Sequence, residues 1–180
     1  MVYCCGLRNA EACNLKVQDV DLDKGILTII HSKGDKDRLV YLSDDMTQLC
    51  REYLDCLCNA LCFEPEWFFP CQIPTMPMLK TTVDRKFNEF WMCTPFAATC
   101  DKKPTVHSLR HTFVVKRMNL WMEQELNFNV MMPYLSKYLG HKGRNETFYY
   151  YDKKKIMASM RERSSDFIRI LNTYLPYYLS

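Results

Sequence analysis

The segment ILTIIHSKGDKDRLVYLS, residues 26–43, is built from two β-branched or aromatic runs separated by a polar break. "ILTIIHSK" (26–33) and "RLVYLS" (38–43) have strand composition, and "GDKD" between them is a turn carrying Gly and Asp. Together they predict an antiparallel hairpin with Lys33 at its turn. Nearly every other patterned segment has the three-to-four spacing of a helix. The expected class is therefore α+β: mainly α-helical, with a small antiparallel hairpin or three-stranded sheet near the N-terminus.

Upstream of the hairpin, residues 1–5 read as the end of a helix closed by Gly6. "LRNAEACNL" (7–15) forms a short helix with Arg8 and Glu11 at i, i+3 on one face. Downstream, Ser43 or Asp44 caps a helix whose apolar stripe is Met46, Leu49, Tyr53, Leu54, Leu57 and Leu61. Residues 63–78 hold four prolines and read as irregular. Residues 79–92 read as helix, and Pro104 suits the first turn of the next helix, "TVHSLRHTFVVKRMNLWM". A further helix over roughly 129–139 ends at Gly140. The run "NETFYYYDKK" (145–154) starts another short helix. An amphipathic tail helix with Phe167, Ile170, Leu171 and Tyr174 on one face occupies residues 165–180.

The 180 residues fit one domain, and 48% hydrophobic with 25% charged residues is an ordinary globular balance. No apolar run approaches the roughly 18 residues of a membrane span, and the N-terminus lacks the pattern of a signal peptide. The ten cysteines are expected as buried thiols in a reducing cytosol. Cys56, Cys58 and Cys62 match no common zinc spacing and read as small apolar helix residues. Net charge is only +3 but unevenly spread: residues 1–60 carry 7 basic and 10 acidic side chains, residues 101–163 carry 13 and 6. Such a basic stretch points to a polyanion partner.

That stretch holds "HSLRH", with His107, Arg110 and His111, then "LGH" with His141 and the tyrosine run. His107 and His111 stand at i, i+4 as a zinc pair would, but the glutamate of the zinc-protease motif and a third ligand are missing, so no metal is assigned. With Arg8 and Lys33 these pieces, in this order, resemble the tyrosine recombinase (phage integrase) family, including the Xer recombinases and mobile-element integrases. "YCCGLRNAEACNLKVQDVDL" resembles the box around the family's first arginine, and "HSKGDKDRLVYL" its hairpin-lysine segment. "HSLRHTF" resembles the His-x-x-Arg box, and "YLGHKGRNETFYYY" the Gly-His and nucleophile segment. "NVMMPYLSKYLGH" is similar to integrases of mobile elements in Gram-positive bacteria.

The resemblance implies a catalytic domain spanning residues 1–180, with Arg8 and Arg110 as phosphate-binding arginines, Lys33 as the hairpin lysine, His107 and His141 as the two histidine positions and Tyr150 as nucleophile. Glu11 would brace Arg8, and His111 would support the site. Successive helical side chains point ~100° apart, so one tyrosine of the run faces a site, and the family interval from His141 selects Tyr150. Lys36, Lys142, Arg144, Lys153, Lys154 and Lys155 become candidates for the DNA backbone. The implied reaction is phosphoryl transfer through a 3′-phosphotyrosyl link, without cofactor, metal or ATP. The implied partners are double-stranded DNA and other protomers in a tetramer, and the implied place is the bacterial cytoplasm, on DNA and not at a membrane. Family members carry an N-terminal DNA-binding domain and more catalytic-domain chain before the first arginine, so the sequence resembles a truncated recombinase. Two other readings stay open: a type IB topoisomerase-like nicking-closing activity, and a catalytically inactive DNA-binding remnant.

Overall fold

Alternation of apolar side chains builds a sheet between the first helices and the long third one. In the computed structural model, which describes residues 1–30, 37–100 and 102–141, strands β1 (Val20–Asp21), β2 (Ile26–Ile29) and β3 (Arg38–Tyr41) pair antiparallel in the order β1-β2-β3. Leu27 faces Val40 and Ile29 faces Arg38 across the ladder. Leu27, Ile29 and Val40 are buried, whereas Leu39 and Tyr41 on the opposite face are exposed. This is the period-two division that fixes register, since a one-residue slip would turn the buried set outward. The α+β class and the three-stranded sheet are therefore as expected, while the turn with Lys33 and the tail helix over 165–180 lie outside the described residues.

The helices are α1 (Val2–Cys5), α2 (Asn9–Cys13), α3 (Asp44–Leu61), α4 (Lys80–Met92), α5 (Val106–Glu123) and α6 (Phe128–Leu139). One apolar cluster joins Cys5, Leu7, Ala12 and Leu15 to the inner face of the sheet, to Cys50 and to Phe68. A second lies between α5 and α6 and holds Phe113, Val114, Met118, Trp121, Met132, Leu135 and Leu139. Tyr138 packs against both clusters. Its ring stacks on Phe113 at 5.8 Å between centroids, and its hydroxyl donates to Cys5 O at 3.1 Å.

Gly6 lets α1 approach α5. It ends α1 in the left-handed conformation at φ 65°, and a Cβ there would sit 2.5 Å from Phe113 Cδ1.

Several local expectations are corrected. Leu49 is 50% exposed, and Cys50, at 2%, takes its place on the inner face of α3, so the stripe runs through Met46, Cys50 and Tyr53. Cysteine is small enough to be overlooked as an apolar stripe residue, yet it is commonly buried. Ser43 caps this helix as expected, accepting from Met46 N at 3.3 Å. Pro104 is not in the first turn of α5: Thr105 is the N-cap, and its N–H donates to Ser108 Oγ at 3.0 Å. That reciprocal cap sets the start of the helix at Val106, two residues after the proline. The cysteines are all free thiols, but only Cys5, Cys13 and Cys50 are buried, and Cys4, Cys56, Cys62, Cys93 and Cys100 are exposed. Cys62 ends α3 in the left-handed conformation rather than continuing it. The proline-rich stretch is irregular but anchored, because Phe68 N donates to Leu15 O at 2.8 Å and the Phe68 ring is buried beside Tyr53 and Phe69.

Candidate active site

The C-terminal end of α6 organises the candidate site. A helix leaves its last carbonyls without intrahelical partners, and the negative end of its dipole lies there. Gly140, at φ 65°, turns the chain so that Gly140 N donates to Lys137 O and His141 N to Ser136 O, each at 3.0 Å. Three consecutive carbonyls at this end each accept from a different arginine. Tyr138 O takes Arg38 Nε at 2.8 Å, Leu139 O takes Arg110 Nη2 at 2.7 Å, and Gly140 O takes Arg8 Nη2 at 2.8 Å.

One carboxylate faces these arginines. Glu11 Oε1 accepts from Arg8 Nη1 at 2.6 Å and Arg38 Nη1 at 2.9 Å. Its Oε2 accepts from the Arg8 backbone N–H at 2.8 Å and from Arg38 Nη2 at 2.7 Å, and Arg110 Nη1 lies 3.8 Å away. Burial pushes the Glu11 pKa up, but the hydrogen bonds and charges of Arg38 and Arg8 outweigh it and hold the group at about 2. The i, i+3 relation of Arg8 and Glu11 arises because Arg8 is the N-cap of α2 and Glu11 sits in its first turn.

Arg110 is 1% exposed. Besides Leu139 O it donates to Gly6 O at 2.6 Å, and its Nη2 lies 3.3 Å from His141 Nε2. Its neighbour one turn earlier on α5, His107, is more exposed. The His107 pKa is lowered first by desolvation and then by the positive charges of Arg110 and Arg8. His111 stands edge-to-face against His107 at 5.1 Å between ring centroids, and its pKa is lowered by desolvation, then by His107 and Arg110. Both imidazoles are thus biased to the neutral form.

Of the sequence-predicted residues, Arg8, Glu11, Arg110 and His141 are brought into direct contact, with His107 and His111 beside them. Lys33, Lys36, Lys142, Arg144, Tyr150, Lys153, Lys154 and Lys155 lie outside the described residues. Sequence reasoning missed Arg38. Its signal was the alternation of β3: Arg38 and Val40 share the buried face, and a charged residue at an inward position needs a partner. It also missed the carbonyl of Gly6 as an acceptor, which no side-chain pattern announces. One carboxylate against three guanidiniums leaves net positive charge beside neutral imidazoles, an arrangement suited to an oxyanion.

A family model described as the phage integrase family matches residues 1–156. The chain belongs to the phage integrase family, and its fold is that of the tyrosine recombinase catalytic domain. It is 34% identical over 152 residues to a putative integrase/recombinase, y4rE, of Sinorhizobium fredii, a match covering 81% of this chain and 46% of that one. The crystal structure of XerA recombinase superposes with a TM-score of 0.65 at 26% identity, covering 90% of this chain and 56% of that chain. XerH site-specific recombinase, in a post-cleavage complex with its palindromic difH substrate, gives 0.63 at 25% identity, covering 90% and 44%. The chain thus spans about half the length of the proteins it matches.

Proposed function

We propose that this chain supplies the catalytic part of a site-specific DNA recombinase, which cuts and rejoins strands through a 3′-phosphotyrosyl intermediate. The observation that carries the reading is the convergence of Arg8 and Arg110 on one spot at the end of α6, with His141 against Arg110 and His107 beside both.

In this mechanism the scissile phosphate replaces backbone carbonyls as a partner of the two guanidiniums, whose forks match its non-bridging oxygens. Charge building on those oxygens in the transition state is stabilised by groups already in place. The Tyr150 oxygen attacks phosphorus, its proton passes to His107, and the bond to the 5′-oxygen breaks. Lys33 protonates that leaving oxygen. His141 hydrogen-bonds the phosphate. A 5′-hydroxyl from a partner strand then attacks the phosphotyrosyl link and restores the phosphodiester, so the bond is conserved without ATP and the arginines do the work a metal ion does in many nucleases. The lowered pKa of His107 suits it to accept a proton at neutral pH, since its unprotonated form predominates there. Lys36, Lys142, Arg144, Lys153, Lys154 and Lys155 contact the DNA backbone, and protomers assemble as a tetramer on DNA.

The test is a nicked suicide substrate, on which cleavage traps the covalent protein–DNA adduct. The wild-type chain forms the adduct, Tyr150→Phe does not, and Tyr149→Phe and Tyr151→Phe do. An adduct that survives in Tyr150→Phe overturns the assignment. DNA binding by the wild-type chain without adduct favours an inactive DNA-binding remnant instead, and relaxation of supercoiled DNA without strand exchange favours a topoisomerase-like activity.

A further inference from the structure

Arg38 holds all three of its guanidinium nitrogens against protein acceptors. Nη1 and Nη2 form a two-pronged pair with the carboxylate of Glu11, at 2.9 and 2.7 Å, while Nε donates to Tyr138 O at 2.8 Å. Its side chain is 8% exposed, against 22% for that of Arg8. The geometry therefore turns Arg38 inward, onto Glu11 and α6, and leaves Arg8 as the more open of the two guanidiniums that share the carboxylate.

The Glu11 side chain is only 9% exposed, and its charge must be balanced. A buried carboxylate that loses one partner pulls harder on the charges that remain. Here those are Arg8, already at 2.6 Å, and Arg110, at 3.8 Å. Arg110 would be drawn off Gly6 O and away from His141, and Arg8 would be locked more tightly onto Glu11. Either movement displaces a guanidinium from the place where a phosphate would meet both. Arg38 also ties the first residue of β3, at the turn end of the hairpin, to the end of α6.

We infer that Arg38 is a positioning residue: by sharing the charge of Glu11, it sets Arg8 and Arg110 at the spacing that binds the phosphate. It acts through Glu11 and touches no substrate. This rests on the phosphotyrosyl reading above and names a residue which that reading does not use.

The test compares the full chain as wild type, Arg38→Gln, Arg38→Lys, Glu11→Gln and the double Glu11→Gln/Arg38→Gln. Adduct formation is measured in a single turnover at saturating nicked DNA, affinity by filter binding and folding by thermal melting. Misplacing reacting groups by about 1 Å costs on the order of 10²-fold. Arg38→Gln is expected to lose about that much in rate at saturation with little change in DNA affinity, and Arg38→Lys to recover part of it. Because Arg38 acts through Glu11, the double variant reacts at the same rate as Glu11→Gln alone. The proposal is overturned by an Arg38→Gln rate equal to wild type, or by a double variant slower than Glu11→Gln by the full factor seen for Arg38→Gln. Should Arg38→Gln fail to fold, the comparison of the double variant with Glu11→Gln decides. A wild-type chain that binds DNA and forms no adduct refutes the functional reading and this inference together, whereas a wild-type adduct with additive variants refutes the inference alone.

Discussion

Replacing Gly6 with alanine brings two separable costs. The first is conformational: Gly6 sits at φ 65°, where an L side chain meets the following carbonyl at a cost of roughly 1–2 kcal/mol. The second is steric, because the new Cβ would lie 2.5 Å from Phe113 Cδ1 and 2.8 Å from Cε1. The Phe113 ring is the stacking partner of Tyr138 and belongs to the core between α5 and α6, so it has little room to retreat. Overpacking of this kind costs about 1–3 kcal/mol. The total, about 2–5 kcal/mol, is a large share of the roughly 5–15 kcal/mol that holds a domain folded. Urea unfolding followed by circular dichroism would show a lower midpoint at unchanged slope. In a Phe113→Leu background the steric part shrinks and the conformational part stays, so Gly6→Ala should cost about 1–3 kcal/mol less there. A loss below about 1 kcal/mol in the wild-type background, or equal losses in both, would refute the close approach of α1 to Phe113.

Glu11 predicts acid sensitivity. Its folded pKa, about 2, lies below its ordinary 4.5, so its contribution is fully present above 4.5 and is lost as the pH falls from there through about 2. That shift corresponds to about 3 kcal/mol, and urea midpoints measured across the window should fall less steeply in Glu11→Gln than in wild type. The rate of adduct formation should have an acid limb with a midpoint below 6.5, because desolvation, Arg110 and Arg8 all disfavour protonated His107; a midpoint above 6.5 in a pH–rate profile would contradict this. On α3, Cys50→Ser should destabilise by about 1–3 kcal/mol through an added buried hydroxyl. Leu49→Ser should stay within about 0.5 kcal/mol, and chemical denaturation of the two variants checks the orientation of the helix.

What the sequence made legible was whatever local pattern controls. The antiparallel pairing of the hairpin, the Gly6 and Gly140 helix ends and the Ser43 cap depend on neighbours within a few residues and are as local composition placed them, although the strands, at 26–29 and 38–41, are shorter than the runs that announced them. That Arg8, Glu11, Arg110 and His141 come together was legible in the order of their motifs, and the pairing of Arg8 with Glu11 in their i, i+3 spacing. Leu49 was misplaced because three-to-four spacing admits it at the edge of the apolar stripe of α3, and burial was decided by Cys50 meeting the sheet. Pro104 was misplaced because the Thr105–Ser108 cap outranks the preference of proline for a first turn. Arg38 stayed hidden because its partners, Glu11 and Tyr138 O, are 27 and 100 residues away, and no local pattern reports such a distance.

The three carbonyls at the end of α6 carry a consequence for the order in which the molecule assembles. Their bonds to Arg8 and Arg38 span 132 and 100 residues, and the bond from Arg110 to Gly6 O spans 104. Closing such long loops costs entropy that local helices and the hairpin do not have to meet. The individual elements can therefore form early, while the arginine cluster closes only when both ends of the described chain meet. The site is then the last part of the fold to be completed and the first to report its loss.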